Sequence, residues 1–359
     1  MPACLVPTID ISVLRTSPKR PVAQLRQGAA ETGFFYVEGH GISTAETERA
    51  FSVGREFCDL PDKAKARYNF VPDRYLGWRS TEDMCSVTGN RCIQRAGFGR
   101  YGVGGYDSRN QVFLGQRWPE ELGTRWRDAC LDIQQQMHAV AKKVLKGLAL
   151  ALNRENDFFD QHMEFDSEQN PSFMAWNWYT GTADIAPQTG PRLHGHADHS
   201  LITLLFQQPG EVGLEIAPGK AVDVNPELDK PGNPWNTMPV AQEWIPVDPK
   251  PGCILVNIGD GLAWWSDGVF KSTYHRVRSP TPDDPQGPRV SMPYFVFPDL
   301  NFEFQGPAKR YPPMTAFKLL SETGNAYEAR KNDAQGAWKK QAYTTANRST
   351  LQHTESPSE

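Results

Sequence analysis

No stretch of this 359-residue chain is apolar for the roughly 20 residues a helix needs to cross a bilayer. The opening MPACLVPTIDIS also lacks the charged start, apolar core and cleavage site of an export signal. A soluble, cytoplasmic protein is therefore expected. No long run of Lys or Arg occurs and the formal net charge is only -4, so the footprint needed to grip a phosphate backbone is missing. Neither nucleic acid nor a membrane is expected as a partner. The six cysteines (Cys4, Cys58, Cys85, Cys92, Cys130, Cys253) contain no C-x-x-C pair, which excludes a zinc ribbon or a thioredoxin-like site and suits reduced thiols. Gly and Pro fall short of what disorder requires, and the apolar and charged fractions are those of a folded globular chain.

Two textures are present. The first part is helix-rich. A short strand is expected from Pro7 to Ile11, followed by a helix carrying Val22, Leu25 and Ala29 at turn spacing and ended by Gly33. Ser43 with Glu46 three residues on spells a capping box, opening a second helix that carries Phe51 and Phe57 and stops near Pro61, where a loop follows. With Pro119 in its first turn, a long amphipathic helix buries Leu122, Trp126, Ile133, Met137, Val140, Val144 and Leu148 on one stripe. Beyond about residue 170 come short apolar runs between Gly, Pro and Asn, as in SLITLLFQ, CILVNIG and RVSMPYFVF. Many short strands closed on themselves make a jelly roll the economical architecture. The Pro- and Asn-rich stretch 218–239 reads as an insertion between two strands, and Phe317 to Tyr343 as a helix before a polar tail. The expected fold is mainly β with flanking helices: a helix-rich region over 1–165, a jelly-roll core over 166–305, and a C-terminal helix and tail over 306–359.

His196-Ala197-Asp198 places an imidazole and a carboxylate on one face of an extended chain. Alone the pair is weak, since about half an occurrence arises by chance in a chain with this many His and Asp. Its setting, LHGHADHSLITLLFQ, is followed by GLEI, WIPVDPKPGCILVNIGD and SDGVFKSTYHRV, the last holding His275. Next comes Arg289-Val290-Ser291 on a strand pattern, where guanidinium and hydroxyl share a face and can grip a carboxylate. Two His and one carboxylate leave three open positions on an octahedral iron(II), enough for a bidentate 2-oxo acid and dioxygen. Tetrahedral zinc with a bound water is the alternative for the same ligands.

With these motifs in place, the chain resembles the isopenicillin N synthase-like superfamily of iron(II)/2-oxoglutarate oxygenases over most of its length. PTIDIS, TGFFYVEGHGIS, REFCDLPDKAKARY and Trp118-Pro119 are similar to that family's N-terminal part. The resemblance implies metal ligands at His196, Asp198 and His275, which are also the catalytic centre. It implies a 2-oxoglutarate clamp at Arg289 and Ser291, with Asn177 and Tyr179 of Asn177-Trp178-Tyr179 helping to hold the same molecule, although Thr180 stands where the family commonly has Pro. It further implies Fe(II), 2-oxoglutarate and O2 as the chemical partners, with ascorbate stimulatory. The activity implied is oxidation of an unactivated C–H bond in a small molecule of secondary metabolism, with release of succinate and CO2, by a monomeric dioxygenase. Hydroxylation, desaturation and ring formation are all open. An oxidase of isopenicillin N synthase type, needing no 2-oxoglutarate, and a non-catalytic cupin-like metal-binding protein are the rivals.

On an extended strand His199 points away from Asp198, whereas His194 shares the face of His196. His40, His138, His162 and His353 are expected to be structural or solvated. The segment from Arg74 to Tyr106 interleaves Arg74, Arg79, Arg91, Arg95 and Arg100 with Tyr75, Trp78, Phe98 and Tyr101; an anionic or carboxylate-bearing substrate is one reading of it, and solvated arginines on a loop are the favoured expectation. The glycines of GRYGVGGY lack the Gly-Lys-Ser of a phosphate loop.

Overall fold

The computed structural model describes residues 6–68, 77–80, 98–104, 118–155, 157–167, 169–181, 191–221 and 243–320. Among them an eight-stranded sheet faces a four-stranded one. The larger sheet joins β1 (Thr8–Asp10), β2 (Phe34–Glu38), β3 (Gly77–Ser80), β4 (Phe98–Gly104), β5 (Phe173–Tyr179), β7 (Ile202–Gln207), β10 (Ile254–Ile258) and β12 (Arg289–Val296) in the order β1-β2-β10-β7-β12-β5-β4-β3. The smaller runs β6 (Leu193–His196), β11 (Thr273–Val277), β8 (Leu214–Ala221), β9 (Ile245–Pro246). Within these two sheets of the described residues, only β1 and β2 pair in parallel. This is the expected jelly roll, and its larger sheet draws four strands from the N-terminal part.

Strand alternation divides the apolar residues between two cores. Phe34, Tyr36, Tyr179 and Leu255 of the large sheet meet Leu193, Leu214, Ile216 and Val277 of the small one. The opposite face of the large sheet, with Trp176, Met292 and Tyr294, packs on the helices. Those helices are α1 (Lys19–Glu31), α2 (Thr44–Cys58), the short α3 (Asp62–Lys65) and α4 (Gly123–Ala151). The expected capping box is present: the Glu46 N–H donates to Ser43 Oγ at 3.2 Å and the Ser43 N–H to Glu46 Oε2 at 2.7 Å. Gly33 follows α1 at φ 70°, where a Cβ would stand 2.2 Å from the Lys271 carbonyl oxygen, so only Gly fits.

Helix α4 is 29 residues long, about 43 Å at 1.5 Å per residue, and spans the back of the sheet. Trp126, Ile133, Met137, Val140, Val144 and Leu148 are buried on its stripe as expected. Pro119 is not in its first turn: a 3₁₀ turn at Glu120–Leu122 intervenes and Gly123, at φ 69°, starts the helix. Fully burying one Leu or Ile of the stripe stabilises the fold by roughly 1.5–3 kcal/mol, so this face holds α4 in place. The expected insertion begins later than 218, because β8 continues to Ala221; the rest of it lies outside the described residues. The C-terminal helix is seen at its start, residues 316–320, and the remainder of 306–359 beyond 320 lies outside them. No helix among the described residues is long and apolar enough to cross a membrane. Cys58, Cys130 and Cys253 are unpaired thiols.

Candidate metal centre and cosubstrate pocket

Strands β6 and β11 pair antiparallel with His196 and His275 as direct partners, so both rings leave the same face, their centroids 4.3 Å apart. Bulges on either side of His275 re-aim its strand locally. Asp198 follows β6, and its Oδ1 lies 3.8 Å from His196 Nε2 and 3.9 Å from His275 Nε2. Those separations are too long for hydrogen bonds. The three side chains are the group among the described residues whose ligand atoms converge, all within 4.8 Å of one another.

What aims these three side chains is a surrounding set of polar contacts. Asp198 Oδ2 accepts from Thr203 Oγ1 at 2.7 Å and from Asn257 Nδ2 at 2.8 Å, which turns Oδ1 toward the imidazoles. His275 Nδ1 is 3.2 Å from the Thr273 carbonyl oxygen, fitting an Nδ1–H donor that leaves the Nε2 lone pair for a metal. Burial pushes the Asp198 carboxyl up, but His275, His196 and the two hydrogen bonds outweigh it and hold the group below its ordinary value. It is a carboxylate at neutral pH.

Behind the ligands, α5 (Asp260–Trp265) abuts the loop after β6. The Asp260 N–H donates to the Asp198 carbonyl oxygen at 2.7 Å, and the Asp260 carboxylate meets His199 Nδ1 at 2.8 Å and Ser272 Oγ at 2.6 Å. His199 is thus engaged by Asp260, and it lies past the end of β6 instead of on the extended strand expected for it. Nothing is stated of His194, whose side chain lies outside the described set. His138 is not solvated: it is buried, with Nδ1 2.9 Å from Tyr294 Oη and Nε2 2.7 Å from the Met163 carbonyl oxygen. His40 is buried too, its Nδ1 accepting the Ile42 N–H at 3.1 Å; His353 lies outside the described residues.

Toward the other end of the sandwich, β12 and β5 pair so that Arg289 faces Tyr179 and Ser291 faces Asn177. All four are buried. The Arg289 guanidinium carbon is 5.1 Å from the Tyr179 ring centroid, Nη2 donates to Gln207 Oε1 at 2.9 Å and Nε to the Glu211 carbonyl oxygen at 3.4 Å. Its third nitrogen, Nη1, is buried and has no hydrogen-bond partner, and neither has Asn177 Oδ1. An unsatisfied buried guanidinium nitrogen costs several kcal/mol of desolvation, on the order of 1–3 or more, unless an acceptor arrives. A carboxylate is the acceptor whose geometry matches. Burial raises the Tyr179 phenol, with Arg289 and a Ser291 hydrogen bond pulling the other way, so it stays a neutral donor. Glu211 is pushed up by burial while the Val290 N–H donates to its Oε2 at 3.0 Å.

Sequence reasoning missed Thr203, Asn257, Asp260, Gln207 and Glu211. One signal was legible: Thr203 and Gln207 stand an even number of residues apart on one β-strand pattern and so share its inner face.

The chain matches the 2OG-Fe(II) oxygenase superfamily over residues 172–298 and the N-terminal region described as non-haem dioxygenase in morphine synthesis over residues 6–127. The validamycin A dioxygenase of Streptomyces hygroscopicus subsp. limoneus is 29% identical over 314 residues, 83% of this chain and 78% of that protein. A 2-oxoglutarate-Fe(II) type oxidoreductase of Aspergillus fumigatus is 26% identical over 353 residues, 91% of this chain and 94% of its own. A full-length Neurospora crassa protein, solved in complex with alpha-KG and thymine, superposes with a TM-score of 0.71 at 21% identity over 90% of this chain and 97% of that one, which shows the fold. The chain belongs to the 2OG-Fe(II) oxygenase superfamily. It is a 2-oxoglutarate-dependent dioxygenase, an oxidoreductase whose chemistry uses Fe(II), 2-oxoglutarate and O2.

Proposed function

We propose that His196, Asp198 and His275 hold the Fe(II), that Arg289 and Ser291 grip the far carboxylate of 2-oxoglutarate with Tyr179 and Asn177 beside them, and that the enzyme oxidises a C–H bond of a small molecule, acting as a monomer in the cytoplasm. Iron so held supplies the redox chemistry that couples dioxygen to decarboxylation of 2-oxoglutarate, giving succinate and CO2. The residues do the rest. Asp198, kept ionised by its neighbours, contributes one negative charge to the centre, and His275, its Nδ1 turned to the Thr273 carbonyl oxygen, presents Nε2. Arg289 and Ser291 fix which end of the dicarboxylate faces the metal. The observation that carries this reading is the buried, partnerless Arg289 Nη1, two residues from Ser291 on the same face of β12. It supports a bound carboxylate and favours the 2-oxoglutarate enzyme over an oxidase without a 2-oxo acid. The relatives named above act on validamycin A and bind thymine, which motivates a small-molecule substrate here. The test is succinate formation by the purified enzyme with Fe(II), ascorbate, air and a compound library. Substrate-stimulated succinate is expected, and turnover with no need for a 2-oxo acid would replace this reading by the oxidase.

A further inference from the structure

We propose that Asp260 is a positioning residue of the metal centre: its single carboxylate bridges the two segments that carry Asp198 and His275 and sets how far apart they stand. This rests on the reading of His196, Asp198 and His275 as the iron ligands. Asp260 acts on the segments and not on the ligand atoms.

The need for such a bridge comes from the sheet. Strands β6 and β11 pair at Leu193–Val277 and at His196–His275, and β6 ends there. Asp198 lies beyond that last rung, so the ladder itself does not set its distance from His275. Counted on from the same pair, forward from His196 to His199 and back from His275 to Ser272, the register would set His199 opposite Ser272. Those are the two residues that the Asp260 carboxylate joins. His199 Nδ1 lies 2.8 Å from Oδ2, and Ser272 Oγ donates to Oδ1 at 2.6 Å. One side chain of α5 thus substitutes for a rung where the ladder has stopped.

Each end of the bridge is passed on to a ligand. On the first segment the Asp260 N–H donates to the Asp198 carbonyl oxygen at 2.7 Å, and His199, held by the carboxylate, is the next residue along. On the second, Ser272 is buried and adjoins Thr273, whose carbonyl oxygen is 3.2 Å from His275 Nδ1. Holding Ser272 therefore holds the acceptor that turns the His275 ring. Thr203 and Asn257 fix the Asp198 carboxylate, whereas Asp260 fixes where it stands relative to His275.

A carboxylate suits this task because it accepts on two oxygens that are rigid with respect to each other. The short contact from Ser272 falls in the range of hydroxyl bonds to charged oxygens. The backbone ties of the same turn do not depend on the side chain: the Gly259 N–H donates to the Leu201 carbonyl oxygen at 2.9 Å and the Gly261 N–H to that of Ser200 at 3.2 Å. Loss of the carboxylate therefore cuts the bridge and leaves α5 docked.

The experiment titrates the metal-free full chain with Co(II) and follows the visible absorption of the bound ion. Wild type, Asp260→Ala, Ser272→Ala and the double variant are compared, with the melting temperature of each metal-free protein alongside. Asp260→Ala is expected to weaken Co(II) binding by about tenfold or more. It should also change the shape of the absorption spectrum, because the ligands are kept and their geometry is not. Ser272→Ala should act in the same direction to a smaller degree, and added to Asp260→Ala it should cost nothing further, since both cut one bridge. An Asp260→Ala protein that melts lower yet keeps the wild-type affinity and spectrum overturns the proposal and makes the carboxylate structural. So do effects of the two substitutions that simply add. If Asp260→Ala does not fold, Ser272→Ala decides, and an unchanged affinity and spectrum there overturn the proposal. Failure of the metal-centre reading looks different: a wild type that takes up no Co(II), or that still binds it after His275→Ala, removes that reading and this proposal with it.

Discussion

The two oxygens of Asp198 have different tasks: Oδ2 is anchored by Thr203 and Asn257, and Oδ1 faces the histidines. Replacing His196, Asp198 or His275 by Ala should abolish iron binding and succinate formation while leaving the circular dichroism spectrum largely unchanged, since none of the three belongs to the apolar core clusters. Asn257→Ala should weaken iron affinity by about ten- to a hundredfold, because an orienting hydrogen bond is lost and the ligand is kept; metal titration would show it. Arg289→Ala should raise the KM for 2-oxoglutarate by about ten- to a hundredfold, as a charge-assisted bond to a carboxylate disappears, with iron affinity little changed. The grouping of His196 with Asp198 and of Arg289 with Ser291 was legible because each pair stands two residues apart, the first at the end of a strand and the second within one, whereas that of His275 with the first pair depends on β11 lying beside β6. Asn257 was not: its meaning depends on β10 lying beside β7, a pairing that no local pattern encodes.

Elements are held at close quarters by two glycines. A Cβ on Gly54 of α2 would come 2.1 Å from Trp176 Cδ1, and Trp176 is pinned by its own Nε1 donating to the Ala50 carbonyl oxygen at 3.0 Å. Gly54→Ala should therefore destabilise by about 1–3 kcal/mol, as overpacking does, read as a lower melting temperature. At Gly259 the obstacle is backbone: a Cβ would stand 2.1 Å from the Ser200 carbonyl oxygen, beside the loop that carries Asp198. The long helix, the capping box and the strand-rich half were legible because their periodicities are long and uninterrupted. Segments β3 and β4 were hidden because Arg and Gly break the apolar alternation, and only pairing with β5 makes them strands.

At the scale of the whole molecule, acid sensitivity follows from histidines held neutral. Burial lowers the pKa of His138 and of His40. A lowered folded value means that the unfolded chain takes up protons first, so stability is lost as pH falls through the unfolded value near ~6.5 and down to the folded one. His199 works in the opposite sense: burial alone would lower it, but Asp260 raises it, so its contribution fades as pH rises. Urea midpoints between pH 7.5 and 5 should fall, and His138→Gln should flatten the slope; an unchanged slope would show that His138 does not carry it. Two of the three convergent ligands belong to the small sheet or its strand end, whereas the third is fixed by Thr203 and Asn257 of the large one. An ion held there would act as a reversible rivet between two layers. Its escape would then be governed by how often the layers part, so the ion's dissociation rate and the amide hydrogen exchange of β6 and β11 should rise together, with temperature or denaturant, as two readings of one opening motion.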